Sequence, residues 1–299
     1  MLTFFAIPKH FRGLTAIIQR NAIKSWTFLK PCPEIILFGG EEGTAEIAAE
    51  LGLVHISEVT RNTNGTPLAN DLFKKAQQRA ENDLLCYINA DIILLEDFFK
   101  AVEMISLERF LMIGQRVDLD YNDSLDFSSK DWINRLRKKV KEEGKLHGHT
   151  GIDYIVFPRG LYREIPPFAL GRTMWDNWLV YKARSLGVQV VDATSMATVI
   201  HQNHDYSHHP GLEAGIWNGA EAAKNMELAG GLKYEFTIKD ATLVLGPGGL
   251  EKPKLTRNLL YRRIETLQTL RPFFRFLSII AKDVYLVWDN LRNIFRIKS

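Results

Sequence analysis

The sequence predicts an α/β protein built on a doubly wound, mostly parallel sheet with helices on both faces. Between residues 1 and about 115, short apolar runs alternate with segments whose apolar residues recur at helical spacing, an order typical of βαβ units. Residues 84–88 form a continuously apolar run, as expected of a parallel strand that is buried on both faces. Gly52 follows one helical segment at a position where glycine commonly ends a helix. Together these observations predict the fold class.

The elements of this first part follow one another in a regular order. Apolar runs predict strands over residues 3–7, 34–38, 54–56, 84–88 and 110–114. Segments with helical spacing predict helices over residues 14–29, 44–51, 68–80 and 97–105. Prolines end the first strand and the first helix, which agrees with these boundaries.

The pattern after residue 115 is less regular. Residues 118–131 are acidic and loop-like, and a Gly- and Pro-rich turn at 246–249 precedes a basic tail. The predicted strands here are residues 152–157, 188–191 and 198–200, and the predicted helices are residues 132–143, 174–186 and 211–229. We therefore predict one domain over residues 1–210 and a mostly helical C-terminal extension over residues 211–299.

Composition narrows the class of protein. The chain has 299 residues and a formal net charge of +3, which is too small to indicate a nucleic-acid-binding protein. Its two cysteines, Cys32 and Cys86, form no disulfide framework, and as buried free thiols they would suit a reducing compartment. No stretch reaches the roughly 18–20 apolar residues of a membrane span, and the N-terminus lacks the basic region of a signal peptide. We expect a soluble, cytoplasmic protein.

The C-terminal tail is strongly basic. Residues 256–299 contain nine Lys or Arg against three Asp or Glu, interleaved with apolar and aromatic residues. Such a segment can lie on the anionic inner face of a membrane, or it can pack on the rest of the chain or on a second copy. We favour packing, and peripheral membrane contact is the alternative.

A carboxylate follows the apolar strand. Asn89 and Asp91 interrupt the apolar run directly after residue 88. Ligands of open α/β sheets bind outside the carboxyl ends of the strands, and a carboxylate there can hold a divalent cation that bridges phosphates. This short motif therefore indicates a site for a metal-bound diphosphate. The alternative is that Asp91 caps a following helix.

Basic residues follow other strands at the same expected edge. Lys9 follows the first strand, Arg61 the third, and Arg116 the strand over residues 110–114. Such cations would bind phosphates, which the planar guanidinium suits well, although each could be a solvated surface charge instead. Residues 39–43 do not predict a dinucleotide-binding loop, because two glutamates would repel a pyrophosphate and the glycine spacing is wrong.

An acidic residue lies between two tryptophans near a predicted helix start. Trp175 and Trp178 flank Asp176 and Asn177. Aromatic faces pack well against sugar rings, and a carboxylate between them could accept a proton from a hydroxyl group. The alternative is that Asp176 caps the helix and Trp178 belongs to the core. We favour the functional interpretation.

Four of the eight histidines fall between residues 201 and 209. Imidazole nitrogens that follow a strand could bind a metal or contact a phosphate. The spacing matches no standard zinc site, and no cysteine accompanies it. We therefore expect His201 or His204 to complete the metal site that begins at Asp91, with phosphate contact or simple packing as the alternatives.

Taken in order, these features resemble the nucleotide-diphospho-sugar transferases of the GT-A fold over residues 1–210. In that superfamily an Asp-x-Asp motif binds Mn²⁺ or Mg²⁺ and the sugar nucleotide. Here Asp91 stands for the last Asp of the motif and Asn89 stands where the first would be. The resemblance implies that Asp91 holds the metal and that His201 or His204 is a further ligand. The substitution at Asn89 removes one charge, which leaves open whether a metal is required.

The resemblance also implies an activity. A sugar would pass from a nucleotide-diphosphate sugar to the hydroxyl of a glycan, lipid or small-molecule acceptor, with Asp176 as the general base of an inverting reaction and Asp153 orienting a sugar. A retaining outcome stays open. The residues implied in donor binding are Lys9, Arg61, Asn89, Asp91, Arg116 and Asp153.

Two other functions compete with this one. A sugar-1-phosphate nucleotidyltransferase shares the nucleotide-binding sheet, but it usually has a Gly-rich loop after the first strand, where this chain has residues 8–11 without glycine. A catalytically silent sugar-binding protein on the same fold would agree with the missing first Asp of the motif. A homodimer is a further expectation for the assembled protein.

Overall fold

The structure, a computed structural model, describes residues 1–204, 217–271 and 273, and strands and helices alternate strictly as far as residue 88. The strands are β1 (Leu2–Ala6), β2 (Glu34–Phe38), β3 (Val54–Ile56), β4 (Leu84–Ile88), β5 (Ile92–Leu94), β6 (Phe110–Ile113), β7 (Val117–Leu119), β8 (Lys145–Leu146), β9 (Tyr154–Pro158), β10 (Gln189–Asp192), β11 (Val199–Gln202), β12 (Leu243–Gly246) and β13 (Gly249–Glu251). The helices are α1 (Gly13–Thr27), α2 (Thr44–Leu51), α3 (Ala69–Arg79), α4 (Asp97–Glu103), α5 (Trp132–Glu143), α6 (Trp175–Ser185), α7 (Ala220–Ala229) and α8 (Arg257–Leu270).

A nine-stranded sheet forms the centre of the protein. Its strand order is β13-β12-β10-β6-β9-β4-β1-β2-β3. Neighbouring strands run parallel, except that β9 is antiparallel to β4 and β6, and β13 is antiparallel to β12. The predicted doubly wound, mostly parallel sheet is confirmed, and the predicted bounds of β2, β3 and β4 match the structure.

Apolar side chains cover both faces of this sheet. Successive residues of a strand point to opposite faces, so Phe5 packs against Phe73 on one side while Phe4 packs against Trp26 on the other. Strands that contribute to two cores must be apolar at every position. This explains why residues 84–88 form a continuous apolar run.

The two cysteines have different environments. Cys86 is fully buried in β4, where desolvation raises the pKa of its thiol well above the ordinary value. Cys32 is exposed, so the expectation that both thiols are buried is wrong for this residue. It lies between Pro31 and Pro33 in the turn after α1, where the prolines prevent the helix from continuing.

A second sheet of four short strands lies beside the first, in the order β5-β11-β7-β8. Helix α5 covers it, and Trp132 and Leu136 pack in a small core with Ile93, Leu119 and Ile200. The sequence did not predict β5, β7 or β8. Residues 118–131, which include the end of β7, were expected to form a loop. Strands of two or three residues are too short to show a period of two, and tertiary pairing decides them.

The chain after residue 210 continues the main sheet. β12 and β13 form a hairpin around the predicted turn at 246–249, where Gly249 adopts a left-handed φ of +106° that glycine accepts without strain. This part of the predicted extension is therefore not only helical. The sheet crosses the predicted boundary near residue 210, and the division into two domains stays a prediction.

An ion pair with a buried carboxylate binds α8, the first element of the basic tail, to the rest of the protein. Nε and Nη2 of Arg262, on α8, donate to the two carboxylate oxygens of Asp240 at 2.9 and 2.8 Å, and Asp240 is 1% exposed. No helix within the described ranges is long and apolar enough to cross a membrane. Residues 272 and 274–299 lie outside those ranges, so membrane contact and dimerisation through the tail stay predictions.

Candidate active site

The loop after β4 places a carboxylate at the carboxyl end of the main sheet. Residues 89–91 connect β4 to β5 and so join the two sheets. The Asn89 N–H donates to the carbonyl of Asp153 at 2.9 Å, which ties the loop to the start of β9. The next helix begins only at Asp97. Asp91 therefore does not cap a helix, and its role in binding a metal-bound diphosphate stays a prediction.

Two histidines face the Asp91 carboxylate from the second sheet. β11 runs antiparallel to β5 with His201 opposite Ile92, and this register brings the end of β11 to the loop after β4. Nε2 of His204 and Nε2 of His201 lie 3.2 and 3.8 Å from Oδ2 of Asp91. One potential ligand atom from each of the three residues lies within 4.8 Å of the others. The structure thus brings both predicted histidines, rather than one, to Asp91.

One oxygen of Asp91 lacks a partner among the described residues. Its Oδ1 is buried and accepts no hydrogen bond there, although nearly all buried polar atoms in proteins are paired. Burial alone would raise the pKa of this carboxyl group, but the hydrogen bond from His204 and the charges of His201 and Lys9 hold the pKa well below its ordinary value. An ionised carboxylate with a free oxygen beside two imidazoles is suited to bind a cation.

The remaining histidines of the sequence cluster, His208 and His209, lie outside the described residues. So do residues 211–216 of the helix predicted over residues 211–229, and the described remainder includes α7.

Arg116 and Asp153 form a buried ion pair next to the motif. Nη1 of Arg116 donates to both oxygens of Asp153 at 2.8 Å, and Nδ2 of Asn89 donates to Oδ1 of Asp153 at 2.8 Å. The Tyr87 hydroxyl in turn donates to Oδ1 of Asn89 at 2.9 Å. Both polar groups of Asn89 are thus engaged within the protein. The predicted phosphate contact of Arg116 and sugar contact of Asp153 stay predictions, and a ligand would have to compete with this pair.

Asp118 connects the same network to the cluster of Asp91, His201 and His204. Its Oδ1 accepts from Nε of Arg116 at 2.8 Å and lies 3.4 Å from Nδ1 of His201, and its Oδ2 lies 2.6 Å from Nδ1 of His147. Sequence reasoning missed Asp118 because it begins a stretch that was interpreted as an acidic loop. The one sequence feature that could have assigned Asp118 to the site is its position two residues after Arg116, which was predicted to lie there.

Asp176 lies in the first turn of α6, just after an unusual backbone conformation. Met174, just before the helix, has a left-handed φ of 81°, which is costly for a residue with a side chain and is common at functional sites. Desolvation raises the pKa of Asp176 to about 7, and the negative charges of Asp153 and Glu235 add to the shift. A carboxylate whose pKa lies near neutral pH is well matched to accept a proton from a hydroxyl.

The two tryptophans beside Asp176 belong to the core. Trp175 is 5% exposed and contacts Tyr87 edge-on at 5.0 Å between ring centroids, and Trp178 is 8% exposed and packs against Phe168. The expectation that their faces hold a sugar ring is therefore wrong. They are three residues apart, so they share the face of α6 that packs on the sheet.

Lys9 lies close to the Asp91 cluster. Its backbone N–H donates to Oε1 of Gln19 at 2.6 Å, which fixes the chain directly after β1. Its side chain is exposed, yet protein surrounds it closely enough that desolvation lowers the pKa of the ammonium group, with Asp91 opposing and Arg172 reinforcing this shift. Lys9 is thus a cation on an exposed residue, and it interacts electrostatically with the Asp91 carboxylate.

Two arginines near the site are held by carboxylates. Arg61, which was predicted to bind phosphate, pairs with Glu41 at 2.6 Å, and the other oxygen of Glu41 is buried without a partner among the described residues. Arg172, which sequence reasoning did not assign to the site, pairs with Glu221 on α7 at 2.7 Å.

Two surface cavities of about 270 and 260 Å³ lie away from all of the candidate site residues described above.

Comparison with solved structures identifies the fold. The chain superposes on S. aureus TarS residues 1–349 with a TM-score of 0.52 and 11% identity, covering 92% of this chain and 72% of TarS. The same protein in complex with UDP-GlcNAc gives 0.52 and 12%, covering 92% and 73%. Glucosyl-3-phosphoglycerate synthase from Mycobacterium tuberculosis, in complex with Mn²⁺, UDP and phosphoglyceric acid, gives 0.47 and 16%, covering 77% and 79%. No family model and no curated protein matches the sequence. The chain therefore has a GT-A glycosyltransferase-like fold.

Proposed function

We propose that this protein is a glycosyltransferase that moves a sugar from a nucleotide-diphosphate sugar to an acceptor hydroxyl with the help of a divalent metal ion. The observation that carries the proposal is the cluster of Asp91, His201 and His204, with its unpartnered buried Oδ1, at the carboxyl end of the central sheet. Ligands of open α/β sheets bind at that edge. The three residues would hold the metal, which neutralises the diphosphate as it leaves the sugar.

The ligand set favours a transition metal. Mg²⁺ takes oxygen ligands in near-octahedral geometry, whereas imidazole nitrogens suit transition-metal ions better. With two imidazoles and one carboxylate in the cluster, we propose Mn²⁺ rather than Mg²⁺. Asn89 does not add a ligand, because its amide is engaged by Tyr87 and Asp153.

Lys9 is the best candidate for a direct contact with the diphosphate. Its ammonium group interacts electrostatically with both Asp91 and Arg172, so a bound phosphate would relieve the repulsion between the two cations. Arg61 and Arg116 are already paired with carboxylates. We therefore rank them below Lys9 as phosphate ligands.

Asp176 would act as the general base. As the acceptor hydroxyl attacks the anomeric carbon, the Asp176 carboxylate would take its proton, which is the role assigned to the base of an inverting transferase. Support comes from the position of Asp176 at a helix start and from its near-neutral pKa. An Asp with an ordinary pKa would be a weaker base for a hydroxyl proton.

The structure also bears on the two competing functions. A catalytically silent binder would need neither the ionised Asp91 cluster nor a carboxylate with a pKa near 7, so these features favour catalysis over binding alone. A nucleotidyltransferase would need phosphate-binding amides after β1. Here the backbone N–H and carbonyl of Lys9 are both bonded to Gln19.

Thermal unfolding with donor candidates tests the proposal. We expect one class of sugar nucleotide, at about 100 times its dissociation constant and with Mn²⁺ present, to raise the melting temperature by about 5–10 °C. The same nucleotide without Mn²⁺ should give a clearly smaller shift. If no sugar nucleotide changes the melting temperature in the presence of Mn²⁺, the proposal fails.

The pH dependence of transfer tests the role of Asp176. The charged carboxylate is the active form, so kcat/KM should be level above pH 7 and fall about tenfold per pH unit below it. Burial of the carboxyl group raises this pKa most, the negative charges of Asp153 and Glu235 raise it further, and the hydrogen bond from the Asn177 N–H lowers it. A profile that stays level down to pH 5 would contradict the assignment of Asp176 as the base.

A further inference from the structure

We infer that Asp118 is a positioning residue for the metal site: its carboxylate holds the ring of His201 so that Nε2 is turned toward Asp91. The inference rests on the proposed metal site. It concerns a residue that does not itself belong to the cluster, and it can be tested by metal binding without any measurement of transfer.

Strand pairing places the two side chains together. β7 runs parallel to β11, and Asp118 is the direct neighbour of His201 in that register. Oδ1 of Asp118 lies 3.4 Å from Nδ1 of His201. On the other side of the same ring, Nε2 lies 3.8 Å from Oδ2 of Asp91. The imidazole therefore bridges Asp118 and the metal cluster through its two different nitrogens.

The neighbours of Nδ1 assign the tautomer. Besides Asp118, the Asn203 side-chain oxygen lies 3.4 Å from Nδ1 of His201. Both neighbours are hydrogen-bond acceptors, so Nδ1 carries a proton, and in the neutral ring, the form that binds a metal, Nε2 keeps its lone pair. A metal binds the neutral imidazole through that lone pair, and a carboxylate on the far nitrogen fixes the ring and makes it a stronger ligand.

Asp118 is itself held in place. Nε of Arg116 donates to its Oδ1 at 2.8 Å and Nδ1 of His147 lies 2.6 Å from its Oδ2. Arg116 is fixed in turn by its two bonds to Asp153. With a partner on each oxygen, the carboxylate cannot rotate freely or move to the cluster as a ligand. Its remaining role toward the metal is through His201.

Replacing Asp118 by asparagine tests the inference. An amide can keep its oxygen toward Arg116 and His201 only with its NH2 group turned to His147, and it no longer carries the negative charge that makes the His201 ring a stronger ligand. We expect the dissociation constant for Mn²⁺, measured on the full chain by titration calorimetry, to rise about 10–100-fold. Asp123→Asn removes the same charge from an exposed position nearby, and that variant should stay within about twofold of the wild type.

A double-mutant cycle separates positioning from a general charge effect. If Asp118 acts through His201, Asp118→Asn should weaken Mn²⁺ binding strongly in the wild type and hardly at all in a His201→Ala background. Equal losses in both backgrounds would overturn the inference. So would an unchanged dissociation constant in Asp118→Asn while the wild type binds Mn²⁺, and that result would leave the proposed function standing.

A measurement on the unmodified protein tests the inference even if a variant does not fold. Nitrogen chemical shifts of the His201 ring report which nitrogen carries the proton. Protonation of Nδ1 alone, in the neutral form, is the expected result, and protonation of Nε2 alone would overturn the inference. If the wild type binds no Mn²⁺ by calorimetry, the metal site and this inference fall together.

Discussion

Asp91→Asn is expected to reduce glycosyl transfer by about 10³-fold or more, measured as kcat/KM with saturating Mn²⁺. Asp91 supplies the one carboxylate of the cluster, and its Oδ1 is the buried oxygen left without a partner in the described structure. An amide is a neutral and much weaker ligand for a cation. Without the metal, the charge that develops on the leaving diphosphate would be opposed only by Lys9 and its neighbours. We therefore expect Mn²⁺ affinity and transfer to fall together.

The variant should remain folded. Asparagine has the shape of aspartate and leaves no cavity, so packing is preserved. Some stability is lost at neutral pH, because the ionised carboxylate attracts His201, His204 and Lys9 and keeps its pKa low. The matched control is Asp83→Asn, whose carboxylate is 99% exposed and whose loss should change neither transfer nor Mn²⁺ binding. Wild-type activity in Asp91→Asn would remove the metal-diphosphate mechanism.

The second large effect is expected for Asp176→Asn, which should lower kcat by about 10²–10⁴-fold while donor affinity stays within about twofold. The reason is that an amide cannot accept the acceptor proton, while the donor contacts proposed for Lys9 and the cluster are unaffected. Burial penalises the charged form of Asp176 and raises its pKa to about 7. Removing that charge should therefore leave the melting temperature at pH 8 unchanged or slightly higher.

The measurement separates chemistry from binding. Donor affinity is read from calorimetry with Mn²⁺, and transfer from product formation at saturating donor and acceptor. Glu164→Gln, at an exposed position, serves as the control for a lost charge. Equal losses of donor binding and transfer in Asp176→Asn would show that the carboxylate supports the site structurally instead of acting as the base.

Local patterns were sufficient for the long elements. Strands such as β2 and β4 were predicted with their observed bounds because they cross a core that is apolar on both faces, and that requirement is visible residue by residue. The position of Asp91 at a strand end followed from the same pattern. The second sheet was not predictable in this way, since its strands are two to four residues long and their stability comes from pairing with distant segments.

Side-chain partners were the least predictable part of the site. Arg116 was expected to face a ligand, but it lies between Asp153 and Asp118. Trp175 and Trp178 were expected to face a sugar, but they face the core. In each case the residue type allows both uses, and the direction in which the side chain points depends on neighbours that are far away in the sequence.

By itself, the sequence determined the α/β class and the order in which the main strands follow one another along the chain. It also identified two carboxylates near the ends of elements, Asp91 and Asp176. These follow from local hydrophobic periodicity and from the rule that ligands gather at the carboxyl edge of such a sheet. Only the tertiary structure decided that both histidines lie next to Asp91 and that Asp118 lies next to Nδ1 of His201. His204 and Asp91 are 113 residues apart in the sequence. Those contacts depend on the register of short strands, which no local pattern encodes.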